Sequence, residues 1–185
     1  MRWLVIAASL VPLASLAIRA ASHRLGANPI ETITHETGDF ALRFLLAGLA
    51  VTPLRRATGW SALAPYRRTF GLLAFSYASL HLATWLFLDL GPDLGAIADD
   101  VRKRPYVTVG WSAFLCLLPL AITSTRGWQR RLGARWVALH RLAYVAAGLA
   151  VVHFTWLVKA DVRAPLVYGA LLCALLLARR SFRSR

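Results

Sequence analysis

The sequence predicts an all-α protein, a polytopic membrane bundle of about six helices in one domain over residues 1–185, and three observations predict it. Of the 185 residues, 58% are hydrophobic. Only 16% are charged, against about 25% in an average soluble domain. The apolar residues come in long blocks separated by short charged stretches, the pattern of helices built to lie in lipid.

The blocks follow in order along the chain. Met1-Arg2 and the apolar run to Ile18 resemble a signal peptide. No small-x-small cleavage site leads into a soluble mature domain, so Trp3–Ala21 reads as the first span. Phe40–Leu54 is the second, short but apolar apart from Arg43. Thr69–Leu90, Tyr106–Thr123, Trp136–Val158 and Ala164–Ala178 are the third to sixth. Each approaches the roughly 20 residues that about 30 Å of hydrocarbon requires. The runs lack apolar/polar alternation and are too long for barrel strands. No low-complexity tract, internal repeat or soluble domain is visible, and the loops read as short.

The net charge of +14 raises nucleic acid as a partner. No basic face interleaves with aromatics, so that class is set aside in favour of membrane lipid. The cations sit between apolar blocks: Arg55, Arg56, Arg67 and Arg68 after the second span, Arg126, Arg130, Arg131 and Arg135 after the fourth, and Arg179, Arg180, Arg183 and Arg185 in the tail. Glu31, Glu36, Asp39, Asp89, Asp93, Asp99, Asp100 and Asp161 fall at the other set of loops. The excess of Lys and Arg marks the cytoplasmic side, which places both termini there. Cys116 and Cys173 lie inside apolar runs without metal-type spacing and read as small buried residues.

A polar group inside a span is expensive, which makes it a candidate for function. His81 lies in the third span, His140 and His153 in the fifth. Taken alone, each is equally a hydrogen-bonding group between helices. The third and fifth spans run in the same direction, and His81 and His153 both lie beyond their midpoints, so the two meet at similar depth toward the outer side. Two imidazoles on opposite faces of one iron leave no open position, which suits electron transfer. His140 lies 13 positions before His153, about 20 Å along a helix and well off its face. A bend, a π-bulge or ligands approached from different sides would reconcile them. At the depth of His140 the third span offers Arg67 and Arg68 rather than a histidine. Three readings of His140 stay open: a second haem with an unusual or missing sixth ligand, exchange with another histidine on the first haem, or contact with a quinone or flavin. Arg141 and the Arg-rich loops suit haem propionates or a phosphate. His23 and His35 read as solvated loop residues, and the tryptophans as interfacial anchors. No Ser/His/Asp set, HExxH or Gly-rich phosphate loop appears, and no carboxylate falls inside a span.

The stretches TSTRGWQRRLGARWVALHRLAYV (Thr123–Val145), GANPIETITHETGDFALRFLLAGLAVTPLRR (Gly26–Arg56), SLHL around His81 and RPYVTVG (Arg104–Gly110) resemble the MsrQ (YedZ) family over nearly the whole chain. More distantly the bundle is similar to the ferric reductase transmembrane domain. The resemblance implies a haem-binding subunit in the bacterial inner membrane. It implies haem b, one or two per chain, and FMN, for which no motif here marks a site. It implies electrons arriving from the quinone pool or a cytoplasmic flavin reductase. It implies their passage to MsrP, a periplasmic molybdopterin subunit that reduces methionine sulfoxide in oxidised envelope proteins. The haem-binding histidines of the family carry over to His81, His140 and His153. The wider group has two histidines on its third helix, and the first of those positions falls here near Arg67 and Arg68, a departure at the inner site. Cofactor contacts are accordingly expected at His81, His140, His153, Arg67, Arg68 and Arg141. A stand-alone quinol or metal reductase and a cofactor-free channel or scaffold are the alternatives.

Overall fold

The computed structural model describes residues 2–158 and 161–181, and every described regular element is helical. Arg183 and Arg185 of the basic tail lie outside them. Helix α1 spans Arg2–Ala21. Helix α2 spans Pro29–Thr58, 30 residues. It starts well before Phe40, because Asn28-Pro29 is a strong start signal. The Asn28 side-chain oxygen accepts from the Glu31 N–H, and proline's missing donor is harmless in a first turn. It stops at Gly59, whose left-handed φ of 73° lets its N–H return to the Arg55 carbonyl. At 1.5 Å per residue α2 is about 45 Å long, more than the hydrocarbon needs. Its N-terminal end carries Glu31, His35, Glu36 and Asp39 on a helix, where hydropathy alone suggests a loop.

A single 3₁₀ turn at Ser61–Leu63 leads into α3, Tyr66–Ala83, which runs on into a π-helical turn at Thr84–Asp89. Helix α4, Leu94–Lys103, begins where the Asp93 carboxylate accepts from the Gly95 and Ala96 N–H groups. Helix α5 is Pro105–Ile122, and α6 is Arg126–Leu132, capped by Thr125. Helix α7, Ala134–Leu139, is separated from α8, Leu142–Leu157, by a break at His140 and Arg141. Helix α9, Arg163–Ser181, forms over the expected sixth span. The connections between the expected spans, which read as short loops, thus hold α4 and α6. Among the described residues five stretches are long and apolar enough to cross a membrane: α1, α2, the run through α3, α5, and α7 with α8.

Two antiparallel pairs make the bundle: α2 lies along α3, and α5 lies along α8. Contacts of α3 with α5 and of α2 with α8 join the pairs, and α9 packs on α2 and α8. Leu45, Leu46 and Leu49 of α2 meet Ala74 of α3, Leu117 of α5 and Ala147 of α8 in one buried cluster. Ala74 and Ala147 are fully buried, so the helix backbones approach closely there. Leucines and valines such as Val11, Leu118, Val152 and Leu166 face outward, as expected of a surface solvated by lipid rather than water. Cys173 is also exposed, so it is not the buried residue the sequence suggested.

Several polar groups tie the helices together. Tyr77 donates its hydroxyl to the Ser9 carbonyl, tying α3 to α1. Arg19 meets Glu36 at 2.6 Å, tying α1 to the N-terminal end of α2. Arg43, the cation inside the second span, donates to Tyr168 at 2.8 Å and to Asp39 at 3.1 Å.

Replacing Ala147 with leucine forces bulk into the closest helix contact. It should cost about 1–3 kcal/mol, the usual penalty for overpacking, read as a lower thermal midpoint of the detergent-purified protein. An unchanged midpoint would show that α8 is free to move away from its neighbours.

Candidate functional site

A cavity of about 510 Å³ lies between α2, α3, α5 and α8, within the roughly 300–1,000 Å³ typical of cofactor pockets. Its inner wall is apolar, with Leu42, Leu45, Phe114, Leu117, Ala146 and Ala150 among the lining residues. Its rim carries Asn28, Glu31, His35, Asp89 and Arg104, all exposed. The pocket therefore reaches from the core of the bundle to the end that bears the acidic residues.

His81 and His153 face each other in this cavity, with ring centroids 6.1 Å apart and planes at 81°. Each ring is oriented by a backbone carbonyl from a neighbouring helix. Nδ1 of His81 lies 2.8 Å from the Thr34 carbonyl on α2. Nδ1 of His153 lies 2.7 Å from the Tyr106 carbonyl on α5. A carbonyl only accepts, so in both rings Nδ1 carries the proton and Nε2 keeps its lone pair. Metal-binding histidines show this pattern, because the second hydrogen bond fixes the tautomer and raises the basicity of the ligating nitrogen.

The spacing also suits a shared ion. An imidazole nitrogen lies roughly 2 Å from a metal it binds, so two rings on opposite faces of one ion have centroids on the order of 6 Å apart. Two imidazoles supply only two ligands, and among the described residues no group of three or more His, Cys, Asp or Glu is placed to hold a bare ion. A planar macrocycle that brings four nitrogens of its own fits this donor set and this largely apolar pocket. The Trp111 indole N–H, in the cavity wall, is buried without a hydrogen-bond partner among the described residues, which leaves a donor for a bound molecule.

The rim is fixed by an ion-paired corner. Asp100, 8% exposed, receives Arg104 at 3.0 Å and the Trp85 indole N–H at 3.2 Å. The Tyr106 phenol, then Asp100, hold the Arg104 guanidinium above its ordinary pKa. Arg104 is thus a permanent cation at the mouth, set among Glu31, Asp39 and Asp89.

His140 stands apart. It does not line the cavity. Its ring stacks on Trp136 with centroids 3.8 Å apart, and Nδ1 lies 3.1 Å from the Trp136 carbonyl one turn back. Its Nε2 is buried without a partner among the described residues. The helix break at His140 is the interruption that its position off the face of His153 called for. Arg67 lies close enough to act on His140 electrostatically. Arg67, Arg68 and Arg141 do not line the cavity either. Of the residues singled out from the sequence, the structure brings His81 and His153 together and leaves the other four outside their pocket. It adds His35, expected from the sequence to be solvated, and Thr34, Tyr106 and Trp111, which no motif marked.

Residues 36–151 match the family described as ferric reductase like transmembrane component. The chain is 51% identical over 179 residues to the protein-methionine-sulfoxide reductase heme-binding subunit MsrQ of Xanthomonas euvesicatoria pv. vesicatoria, covering 94% of this chain and 82% of the relative. A protein of the same name from Xanthomonas oryzae pv. oryzae is 50% identical with the same coverage. Another from Herminiimonas arsenicoxydans is 49% identical over 175 residues, covering 93% of this chain and 80% of that protein. No solved structure matches.

Two imidazoles in an apolar pocket hold a bare divalent ion weakly. Dialysis of the purified protein against EDTA should therefore leave its thermal midpoint unchanged, and a clear drop would reveal a chelatable structural metal.

Proposed function

The chain belongs to the MsrQ family of haem-binding subunits of protein-methionine-sulfoxide reductases, within the ferric reductase-like transmembrane group, and from that premise we propose that it is a membrane electron-transfer subunit. His81 and His153 would hold haem b between them. Electrons enter on the side of His140 and the Arg-rich loops, from the quinone pool or a cytoplasmic flavin reductase. They leave at the acidic mouth to MsrP, a periplasmic molybdopterin partner that reduces methionine sulfoxide in envelope proteins. The chain lies in the inner membrane with both termini cytoplasmic. The observation that carries this reading is the pair of Nδ1-anchored imidazoles, 6.1 Å apart across an apolar cavity.

The work of the residues follows from the geometry. His81 and His153 would hold one iron by offering their Nε2 lone pairs from opposite sides of the cavity. The Thr34 and Tyr106 carbonyls hold the rings against rotation, so oxidation-state changes need little rearrangement of the ligands. Leu42, Phe114, Leu117 and Ala146 keep water from the inner wall. A haem held by these two rings would supply one-electron transfer. Arg104 at the rim is placed to meet an anionic edge of the bound group. His140, Arg67, Arg68 and Arg141 form the inner, basic approach, where the phosphate of FMN, a quinone or the propionates of a second haem would be received. In this reading the chain would pass electrons to its partner, and substrate reduction would belong to that partner.

Reduced-minus-oxidised spectra of the purified chain should show low-spin b-type haem. His81→Ala and His153→Ala should each abolish it, whereas His140→Ala should retain it and slow reduction by the cytoplasmic-side donor. Full low-spin haem in either of the first two variants would contradict the pairing. A colourless, iron-free wild type would favour a channel or scaffold instead.

A further inference from the structure

The two halves of the site are built alike. The His81 ring is anchored to the carbonyl of Thr34, and the His153 ring to that of Tyr106, in each case across 47 positions of sequence. One helical turn after each carbonyl stands a glycine that faces the same ring. A Cβ built on Gly38 would lie 3.0 Å from Nδ1 of His81 and 3.1 Å from its Cε1. A Cβ built on Gly110 would lie 2.8 Å from Nδ1 of His153 and 2.9 Å from its Cε1. Carbonyl, glycine and histidine recur at a constant offset of 72 positions (34 to 106, 38 to 110, 81 to 153). The same offset lays the α2–α3 pair over the α5–α8 pair, the two closest helix pairs of the bundle. This is an internal structural repeat that composition and hydropathy did not reveal. Because α2 runs in the direction of α5, and α3 in the direction of α8, it is a parallel repeat about an axis along the membrane normal, and the imidazoles face one another across that axis.

We propose that Gly38 and Gly110 are positioning residues, matched bare patches of helix on which the His81 and His153 rings rest so that their Nε2 atoms converge on one iron. This role deepens the haem reading and rests on it. Glycine is the poorest helix former after proline, so a glycine in mid-helix needs a reason. Neither position has the left-handed backbone that would supply one. The close approach of the ring supplies it. A methyl at either site must push an imidazole that is held at Nδ1 by the carbonyl one turn away. The ring then either loses that bond or swings its Nε2 off the shared axis. At Gly71 on α3 and Gly148 on α8 an added Cβ would meet nothing within 4 Å, so they are built-in controls on the helices that carry the histidines.

The test compares Gly38→Ala and Gly110→Ala with Gly71→Ala and Gly148→Ala in the full chain, reading haem per polypeptide, the low-spin spectrum and the midpoint potential. Haem affinity should fall about 10- to 100-fold in the first two, the range seen when a ligand's supporting contact is lost, with Gly110→Ala the more severe. The two controls should keep wild-type haem content and potential. Wild-type spectrum, potential and haem content in both Gly38→Ala and Gly110→Ala would overturn the proposal while leaving the haem reading intact, and a wild type without haem would instead overturn that reading. If a glycine variant fails to accumulate, the double variants His81→Ala with Gly38→Ala and His153→Ala with Gly110→Ala decide. With the ring gone the clash is gone, so each double should accumulate like its histidine single variant. A double no better than the glycine variant alone would place the clash elsewhere and refute the assignment.

Discussion

An imidazole inside a lipid-facing bundle has an N–H that must find an acceptor, because no water is there to serve. Nearly every acceptor in such a bundle is a helix carbonyl already engaged in its own ladder. A second donor can reach one only where the intervening surface is bare. The bonds from His81 to Thr34 and from His153 to Tyr106 meet that condition, and the rest of the site depends on them. They decide which nitrogen carries the proton, which way the ring faces, and how closely α2 must approach α3 and α5 approach α8. The small residues at the helix contacts, the apolar inner wall and the ion-paired rim all serve a cavity whose two polar atoms are aimed from opposite sides.

The placement of charge gives the same cavity a direction. Acidic side chains gather at its mouth, while Arg67 of the opposite end lies close enough to act on His140. A redox group held at His81 and His153 therefore lies nearer one surface than the other, and the basic end holds a different, incomplete arrangement. The constant offset of the internal repeat pairs His140 with Arg68. The inner end thus has one histidine where the outer end has two, so the two ends of the bundle are built for different tasks.

Much of this is legible in the sequence. Span length and the placement of arginine mark the membrane helices, and equal depth on spans of equal direction marks His81 with His153. What is not legible has physical reasons. Helix α2 extends outward because Asn28 and Pro29 start it early. That signal is local, and the polarity of Glu31 to Asp39 outweighs it when spans are judged by hydropathy. His35 reaches the cavity rim only because of that extension. The helices α4 and α6 rest on the caps Asp93 and Thr125, which hydropathy does not weigh. The roles of Thr34 and Tyr106 belong to backbone carbonyls, which leave no trace in side-chain identity. Gly38 and Gly110 look like any helix glycine until the rings of other helices are placed on them.

Two crossed imidazoles sharing one iron would be visible in electron paramagnetic resonance of the oxidised, purified protein. Parallel axial rings donate into the same iron d orbital and split the pair strongly, which gives a rhombic low-spin signal. Rings near perpendicular, as the 81° between His81 and His153 requires, donate into both orbitals about equally and leave them nearly degenerate. The crossed rings should therefore give a low-spin signal of strongly axial type with one large g value. A high-spin signal from five-coordinate iron, or a rhombic low-spin signal from parallel ligands, would contradict it.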